Sequence, residues 1–187
     1  MPRLFPLVLF CEPHGGAVCS MSLNTAVMFG KASDEWRTPQ TFFEALDAEF
    51  GFDIDVAATS ENCWVENYFG PDRKNPLYRD ALAVDWFRQR GGNASAPTCW
   101  LNPPYSRCRE FIAKAAAEAK RGATVVCLVP SRTDTRWWHE HVWDQVRNCA
   151  RPGVEIRFVK GRLKFGGTGK PENSAPFPSV VVIFRPA

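Results

Sequence analysis

The sequence has few features of membrane proteins or metalloproteins. It contains no apolar run near the roughly 18 residues of a membrane-spanning helix, so we expect no association with a membrane. Its three histidines form no HExxH motif and its seven cysteines form no CxxC pair, which predicts a protein without a metal site. Because an odd cysteine count without a disulfide framework is typical of reducing compartments, the sequence indicates a cytoplasmic protein.

Acidic and basic residues are unevenly distributed along the chain. Residues 34–85 hold 12 acidic and 4 basic side chains, a net charge of −8, whereas residues 86–187 hold 7 acidic and 17 basic ones, a net charge of +10. Such a split predicts two different ligands, and a basic half is typical of a surface that binds a polyanion. Scattered, solvated arginines are the alternative interpretation.

The first twenty residues differ from the rest of the chain. Their short apolar stretch, residues 4–10, is interrupted by Pro6 and lacks a clear signal-peptide cleavage site. We therefore expect residues 1–20 to be a disordered extension or an upstream start that activity does not need. The length of the remainder fits one domain, residues 21–187.

Hydrophobic periodicity predicts alternating helices and strands. Residues 41–50 and 110–121 have the spacing of amphipathic helices, and the apolar run at 124–129 is typical of a central parallel strand. The other predicted elements are strands at 52–56, 98–101, 155–160 and 179–184, a Trp-rich helix at 134–146 and a long connection at 161–178. This alternation predicts a three-layer α/β fold that binds ligands at the carboxyl ends of its strands.

Residues 102–105 read Asn-Pro-Pro-Tyr and directly follow one of these predicted strands. Prolines donate no backbone hydrogen bonds and keep the chain out of a helix. The strand therefore ends in carbonyl oxygens and an Asn side-chain oxygen that can accept hydrogen bonds, beside the flat face of Tyr105. This arrangement suits a planar ring with an exocyclic amino group. A proline turn that merely leaves the sheet is the alternative.

Four short motifs occur in a fixed order along the chain. They are Thr38-Pro39, Asp55-Val56-Ala57-Ala58, Asp80-Ala81-Leu82 and Asn102-Pro103-Pro104-Tyr105. This order resembles that of S-adenosylmethionine-dependent amino-methyltransferases acting on adenine in DNA, and more narrowly of the small phage-encoded DNA adenine methyltransferases. The similarity extends over about residues 21–186 and includes W-R-T-P-Q at 36–40, G-R-L-K-F-G at 161–166 and A-P-F-P-S at 175–179.

The resemblance implies a fold and a cofactor site. The fold would be a Rossmann-like methyltransferase domain with a mostly parallel sheet and an antiparallel closing strand. The cofactor S-adenosylmethionine would contact Thr38, Pro39, Asp55, Val56, Ala57, Ala58, Asp80, Ala81 and Leu82.

Individual roles in that cofactor site follow from the resemblance. Thr38 would bind the methionine carboxylate, with helix capping as its other possible role, and Asp55 would lie near the ammonium group. Asp80 would accept a hydrogen bond from the cofactor adenine, on which Leu82 packs, although Asp85 competes for this role. Asp72 is a candidate for the ribose hydroxyls. The glycine-rich loop usual after this strand is replaced by 57–59, Ala-Ala-Thr.

The resemblance also assigns the catalytic motif. The Asn102 side-chain oxygen and the Pro103 carbonyl would accept both hydrogens of the target amino group, Pro104 would follow them in the rigid motif, and Tyr105 would stack on the base. An adenine in duplex DNA must be flipped out to reach such a site. A strong general base is not required, because the amine becomes acidic once methylated.

The implied macromolecular partner is double-stranded DNA, bound by a monomer with short or relaxed sequence specificity. Candidate DNA contacts are Arg132, Arg136, Arg162, Lys164 and Phe165, although a hairpin-like connection with solvated charges also explains the last three. Two alternatives remain at this point: an amino-methyltransferase acting on RNA or on protein glutamine, and a catalytically inactive phage DNA-binding module.

Overall fold

The computed structural model describes residues 37–87, 96–167 and 170–186. Its α-helices are α1 (Gln40–Phe50), α2 (Cys108–Lys120) and α3 (Arg136–His141). Its strands are β1 (Ile54–Asp55), β2 (Thr98–Leu101), β3 (Thr124–Pro130), β4 (Trp143–Asp144), β5 (Cys149–Ala150), β6 (Val154–Phe158), β7 (Lys164–Gly167), β8 (Lys170–Ser174) and β9 (Ser179–Phe184). Short 3-10 helices occupy Pro76–Tyr78 and Tyr105–Arg107. The predicted extension at residues 1–20 lies outside the described residues.

Five strands form one mixed sheet in the order β1-β2-β3-β9-β6. β1, β2 and β3 are parallel, with Ile54 opposite Cys99 and Thr98 opposite Thr124. β9 is antiparallel to both of its neighbours, β3 and β6. The ends of β1, β2, β3 and β6 and the start of β9 therefore share one edge, which we call the carboxyl edge. The predicted α/β class is confirmed.

Both faces of β3 are buried, which explains its continuous apolar sequence. On one face Val125, Cys127 and Val129 belong to a core cluster that includes the apolar side of α2 and the tryptophans of α3. On the other face Val126 and Leu128 pack in a cluster with Phe43, Leu46, Trp100 and Phe165. Because each fully buried large apolar side chain contributes about 1.5–3 kcal/mol, these clusters fix α1 and α2 relative to the sheet.

Helix α1 has the predicted buried face, but its first turn lacks the side-chain cap that Thr38 could have provided. Phe43 and Leu46 are buried, as the periodicity predicts. No side chain caps the first turn, so helix capping is the wrong role for Thr38. The helix ends at Gly51, whose φ of 63° is left-handed and whose N–H donates to the carbonyl of Asp47. Glycine adopts this conformation without the steric penalty that a Cβ brings.

The Trp-rich helix predicted at 134–146 is too long. α3 ends at His141, and Trp143 begins a hairpin in which it pairs with Ala150. The Asp144 carboxylate accepts hydrogen bonds from the backbone N–H groups of Val146 and Arg147. This side-chain-closed turn competes with helix formation, so the local turn prevails over the helical pattern.

The long connection predicted at 161–178 contains the β7–β8 hairpin, which confirms the hairpin-like conformation of this segment. Gly166 of β7 also pairs with Arg37 through two backbone hydrogen bonds. The hairpin therefore lies beside the residues that enter α1. In the described part of the chain, no helix combines the length and apolar character needed to cross a bilayer.

Candidate functional site

A cavity of about 250 Å³ lies at the carboxyl edge of the sheet. Four segments form it: the loop that follows β1, residues 69–71, which return beside that loop, residues 79–81, and the residues from the end of β2 to the first turns of α2. Its lining residues are Val56, Ala57, Ala58, Thr59, Asn62, Phe69, Gly70, Pro71, Arg79, Asp80, Ala81, Asn102, Pro104, Arg107 and Phe111. The volume is slightly below the roughly 300–1,000 Å³ that is typical of ligand sites.

The floor of the cavity depends on a close crossing of two backbones. The N–H of Ala58 donates to the carbonyl of Phe69 at 3.0 Å. A Cβ added to Gly70 would lie 1.8 Å from the Ala58 carbonyl oxygen, a separation that no side chain can adopt. The glycine that permits the close approach is thus supplied by the returning segment, opposite the alanines that follow β1.

Asp55 is buried at the end of β1 and lines a second, much smaller space of about 10 Å³. One of its carboxylate oxygens accepts a hydrogen bond from the N–H of Ala57 at 3.2 Å. Burial raises the pKa of Asp55 to about 7, although backbone hydrogen bonds from Ala57 and Trp64 oppose this shift. A carboxyl group in this environment is readily ionised by a cation brought next to it.

Thr38 and Asn102 meet beside the small space, which both of them line. The Asn102 Nδ2 donates a hydrogen bond to the Thr38 Oγ1 at 3.2 Å. Thr38 is itself buried, and its carbonyl accepts a hydrogen bond from the Trp64 indole at 3.1 Å. Because the amide nitrogen of Asn102 faces Thr38, its oxygen is turned to the other side, and Asn102 also lines the 250 Å³ cavity.

The other residues of the Asn-Pro-Pro-Tyr segment are placed differently. Pro104 lines the larger cavity, whereas Pro103 and Tyr105 do not. Pro103 is buried and Tyr105 opens the 3-10 helix that leads into α2. Burial raises the pKa of the Tyr105 phenol above its ordinary value.

The structure separates the two candidate carboxylates for the cofactor adenine. Asp80 lines the cavity together with Ala81. Asp85 instead pairs with Arg121 at 2.6 Å and accepts a hydrogen bond from the N–H of Phe87. Leu82, predicted to pack on the adenine, does not line the cavity but packs against the hydrophobic core.

The Asp72 side chain forms hydrogen bonds with other residues between β1 and the 3-10 helix Pro76–Tyr78. Its carboxylate accepts hydrogen bonds from the N–H of Ser60 at 2.6 Å and from the Tyr68 hydroxyl at 3.2 Å. Asp72 does not line the cavity, so the structure does not place it where the ribose prediction requires.

Sequence reasoning missed several residues of the cavity wall. Phe69 and Phe111 supply aromatic surface, Asn62 joins the two cavities, and Arg79 and Arg107 lie near Asp80. The position of Arg107, two residues after the Asn-Pro-Pro-Tyr segment, is a signal that could have identified it. Phe69 and Phe111 have the spacing of ordinary core residues, so their sequence gives no such signal.

The five predicted DNA contacts have different environments. Phe165 is 2% exposed and packs in the core, so its prediction as a base-stacking residue is wrong. Arg136 is paired with Glu140, and an Nη1 of Arg162 donates to the carbonyl of Ala175 at 3.3 Å. Lys164 is exposed, and the Arg132 guanidinium lies 4.3 Å from the ring centroid of Phe177.

Among the described residues, no three His, Cys, Asp or Glu side chains form a group that could hold a metal ion.

A family model described as DNA N-6-adenine-methyltransferase (Dam) matches residues 26–187. The chain belongs to this family. The match confirms the resemblance found in the sequence, and it includes every element described above. The Dam family assignment also favours adenine in DNA over RNA and protein glutamine as the acceptor.

Two phage proteins are similar to this member of the Dam family. The DNA N-6-adenine-methyltransferase of Haemophilus phage HP1 (strain HP1c1) is 28% identical over 159 residues, which cover 82% of this chain and 79% of the relative. The DNA N-6-adenine-methyltransferase of Escherichia phage T1 is 30% identical over 162 residues, covering 81% of this chain and 63% of the relative. The chain thus spans less than two thirds of the phage T1 protein.

Proposed function

We propose that this protein transfers the methyl group of S-adenosylmethionine to the N6 amino group of adenine in double-stranded DNA. The observation that carries the proposal is the hydrogen bond from Asn102 to Thr38, which fixes the side-chain amide of the Asn-Pro-Pro-Tyr segment at the border of a cavity. The family assignment supports the same reaction.

The residues of the two cavities suit this cofactor. The small side chains of Ala57 and Ala58 leave room for a ligand close to the backbone, and Phe69 and Phe111 provide apolar walls for a ring. The carboxylate of Asp80 can accept a hydrogen bond from an adenine amino group. The buried carboxyl of Asp55 suits an ammonium group, since a cation would offset the effect of burial on its charge. The Thr38 hydroxyl, which accepts from Asn102, still has its proton to donate to a carboxylate.

When bound, S-adenosylmethionine would supply an electrophilic methyl group: the N6 lone pair would form the new C–N bond as the C–S bond breaks, and the electron pair would stay on sulfur. The protein contributes position. The Asn102 side-chain oxygen and the Pro103 carbonyl accept the two N6 hydrogens and hold the lone pair out of conjugation with the ring. The proton lost from the methylated nitrogen passes to solvent, so a dedicated base is not needed.

The acceptor adenine reaches the motif by leaving the duplex, at a cost of roughly a few kcal/mol. Tyr105, at the end of the motif, stacks on the flipped base. The prolines restrict the backbone on which these acceptors stand, which reduces the entropy lost when the base is bound.

The proposal also covers the detailed fold class and the oligomeric state. α1 on one face of the sheet and α2 with α3 on the other support a three-layer Rossmann-like methyltransferase fold. We propose a monomer acting on duplex DNA. RNA, protein glutamine and an inactive DNA-binding role receive less support, because the family match and both relatives point to adenine methylation in DNA.

A methyl-transfer assay tests the function. The full chain is incubated with tritiated S-adenosylmethionine and unmethylated duplex DNA, single-stranded DNA, RNA or protein, alongside Asn102→Ala. We expect label in duplex DNA with the wild type and at least a hundredfold less with the variant, because the alanine removes an acceptor of the amino group. Label in RNA or protein alone, or none in any acceptor, contradicts the proposal.

A further inference from the structure

Arg132 and Phe177 form a stacked pair at the carboxyl edge of the sheet. The Arg132 guanidinium carbon lies 4.3 Å from the centroid of the Phe177 ring, within the range of a cation–π contact. Both side chains are half-buried. Phe177 lies between Pro176 and Pro178, and this restricts the backbone that carries the ring. The aromatic face that Arg132 contacts is therefore carried by a restricted backbone.

Strand pairing explains why these two residues meet. Pro130, the last residue of β3, pairs with Ser179, the first residue of β9. Immediately beyond this pair, the N–H of Ser131 donates to the carbonyl of Pro178 at 2.8 Å. Arg132 and Phe177 are the next residues outward on the two chains. They lie on the same edge as Asn102, which follows the neighbouring strand β2.

Arg132 also lies close to the residues that follow Asn102. Burial raises the pKa of Tyr105 and of Cys108, and the positive charge of Arg132 opposes both shifts. The guanidinium is therefore near the side chain proposed to stack on the flipped base.

Several arginines in the described part of the chain form ion pairs, and Arg132 is not one of them. Arg107, Arg136 and Arg157 each form an ion pair with a glutamate. The ion pairs among the described residues do not include Arg132. An aromatic face orients a guanidinium but leaves its N–H groups able to donate to an anion.

From this geometry we propose that Arg132, oriented by Phe177, binds a backbone phosphate of the DNA next to the flipped adenine. The inference rests on the proposed function. It adds to that function Arg132 as a phosphate-binding residue and Phe177 as the residue that orients Arg132. The contact fixes the position of the duplex relative to the Asn-Pro-Pro-Tyr segment and does not read the base sequence. Phe177 acts through Arg132 and is a positioning residue.

The test measures binding of a fluorescent duplex oligonucleotide by anisotropy over a range of KCl concentrations. The proteins compared are the wild type, Arg132→Gln, Arg132→Lys and Phe177→Leu. Lys120→Gln is the matched control, because it removes one exposed positive charge at the end of α2, on the opposite edge of the sheet. Thermal melting and S-adenosylmethionine affinity are measured for each protein to show that the fold and the cofactor site are retained.

We expect Arg132→Gln to weaken DNA binding severalfold on every sequence and to reduce the slope of log K against log salt by about one. Arg132→Lys and Phe177→Leu should retain the slope, since they keep the charge, but bind more weakly than the wild type. Lys120→Gln should match the wild type.

The salt slopes give two results that would overturn the inference: a wild-type slope in Arg132→Gln, or an equal loss of slope in Lys120→Gln. Weaker binding by Phe177→Leu that is accompanied by loss of cofactor affinity would show a merely structural role and would also overturn it. These outcomes are separate from failure of the proposed function, which would appear as a wild-type protein that methylates no DNA.

Discussion

The Thr38 hydroxyl accepts a hydrogen bond from the Asn102 side-chain amide at 3.2 Å, although the two residues are 64 positions apart. This bond joins the segment before α1 to the segment after β2. It also decides which end of the Asn102 amide faces Thr38. The orientation of the acceptor in the Asn-Pro-Pro-Tyr segment therefore depends on a residue outside that segment.

Replacing Thr38 tests this dependence. Thr38→Val keeps the shape of the side chain but removes the acceptor, so the amide loses its fixed orientation. We expect kcat for methyl transfer to fall roughly tenfold, the effect of one hydrogen bond of about 1.4 kcal/mol. Thr38→Ser keeps the hydroxyl and should retain most of the activity. Equal kcat values for the valine and serine variants in steady-state assays would contradict the role.

The buried carboxyl of Asp55 predicts a stability that depends on pH. Its pKa is about 7 in the folded protein and 3.8 when exposed, so the folded state holds the proton more tightly. The resulting stabilisation is complete below pH 3.8 and is lost as the pH rises through about 7.

Asp55→Asn removes this titration. Without cofactor, we expect the free energy of unfolding of the variant minus that of the wild type to increase by on the order of 2–4 kcal/mol from pH 5 to pH 8. Urea unfolding at both pH values measures the change. The same variant should bind S-adenosylmethionine weakly, because it lacks the charge that suits an ammonium group. Parallel stability curves for the two proteins would exclude this account of Asp55.

Gly70 is predicted to be intolerant of any side chain. In Gly70→Ala the new Cβ would lie 1.8 Å from the Ala58 carbonyl oxygen, so one of the two backbone segments must move. We expect a loss of stability of roughly 1–3 kcal/mol together with weaker cofactor binding, measured by urea unfolding and calorimetry.

Gly51→Ala is the control for Gly70→Ala. It introduces strain at a φ of 63° but has open space around the new Cβ. It should destabilise the protein by about 1 kcal/mol and leave cofactor affinity unchanged. Equal cofactor affinities for the two alanine variants would show that the Gly70 crossing does not shape the site.

Asp80 and Asp85 provide a matched pair of carboxylates. Asp80 lines the cavity, whereas Asp85 does not. The hydrogen bond from Arg121 holds the pKa of Asp85 below its ordinary value. By isothermal titration calorimetry, Asp80→Asn should weaken S-adenosylmethionine binding roughly tenfold or more. Asp85→Asn should bind the cofactor as the wild type does. The reverse ranking would assign the adenine contact to Asp85.

Features that depend on local sequence could be predicted well. The Asn-Pro-Pro-Tyr segment follows a strand because prolines restrict their own backbone, and β3 could be recognised because burial of both faces requires an uninterrupted apolar run. The order of the motifs also indicated the family, and the family match confirms that membership.

Features that depend on contacts distant in sequence could not be predicted. The role of Gly70 arises only where it crosses Ala58. Phe165 has the sequence context of an exposed basic hairpin, but that hairpin pairs with Arg37 and places the ring in the core. Likewise, the Asp144 side chain closes a turn that ends the helical pattern of α3 early. In each case a tertiary or side-chain contact outweighs the local pattern.

The rate of a single turnover tests the central claim most directly. The full chain is saturated with S-adenosylmethionine and an unmethylated duplex, and the nucleosides of the digested product are identified by mass spectrometry. The account predicts N6-methyl-2′-deoxyadenosine, formed at least a hundredfold more slowly by Asn102→Ala, with cofactor affinity little changed. Methylation of another base, or equal rates for the two proteins, would contradict it.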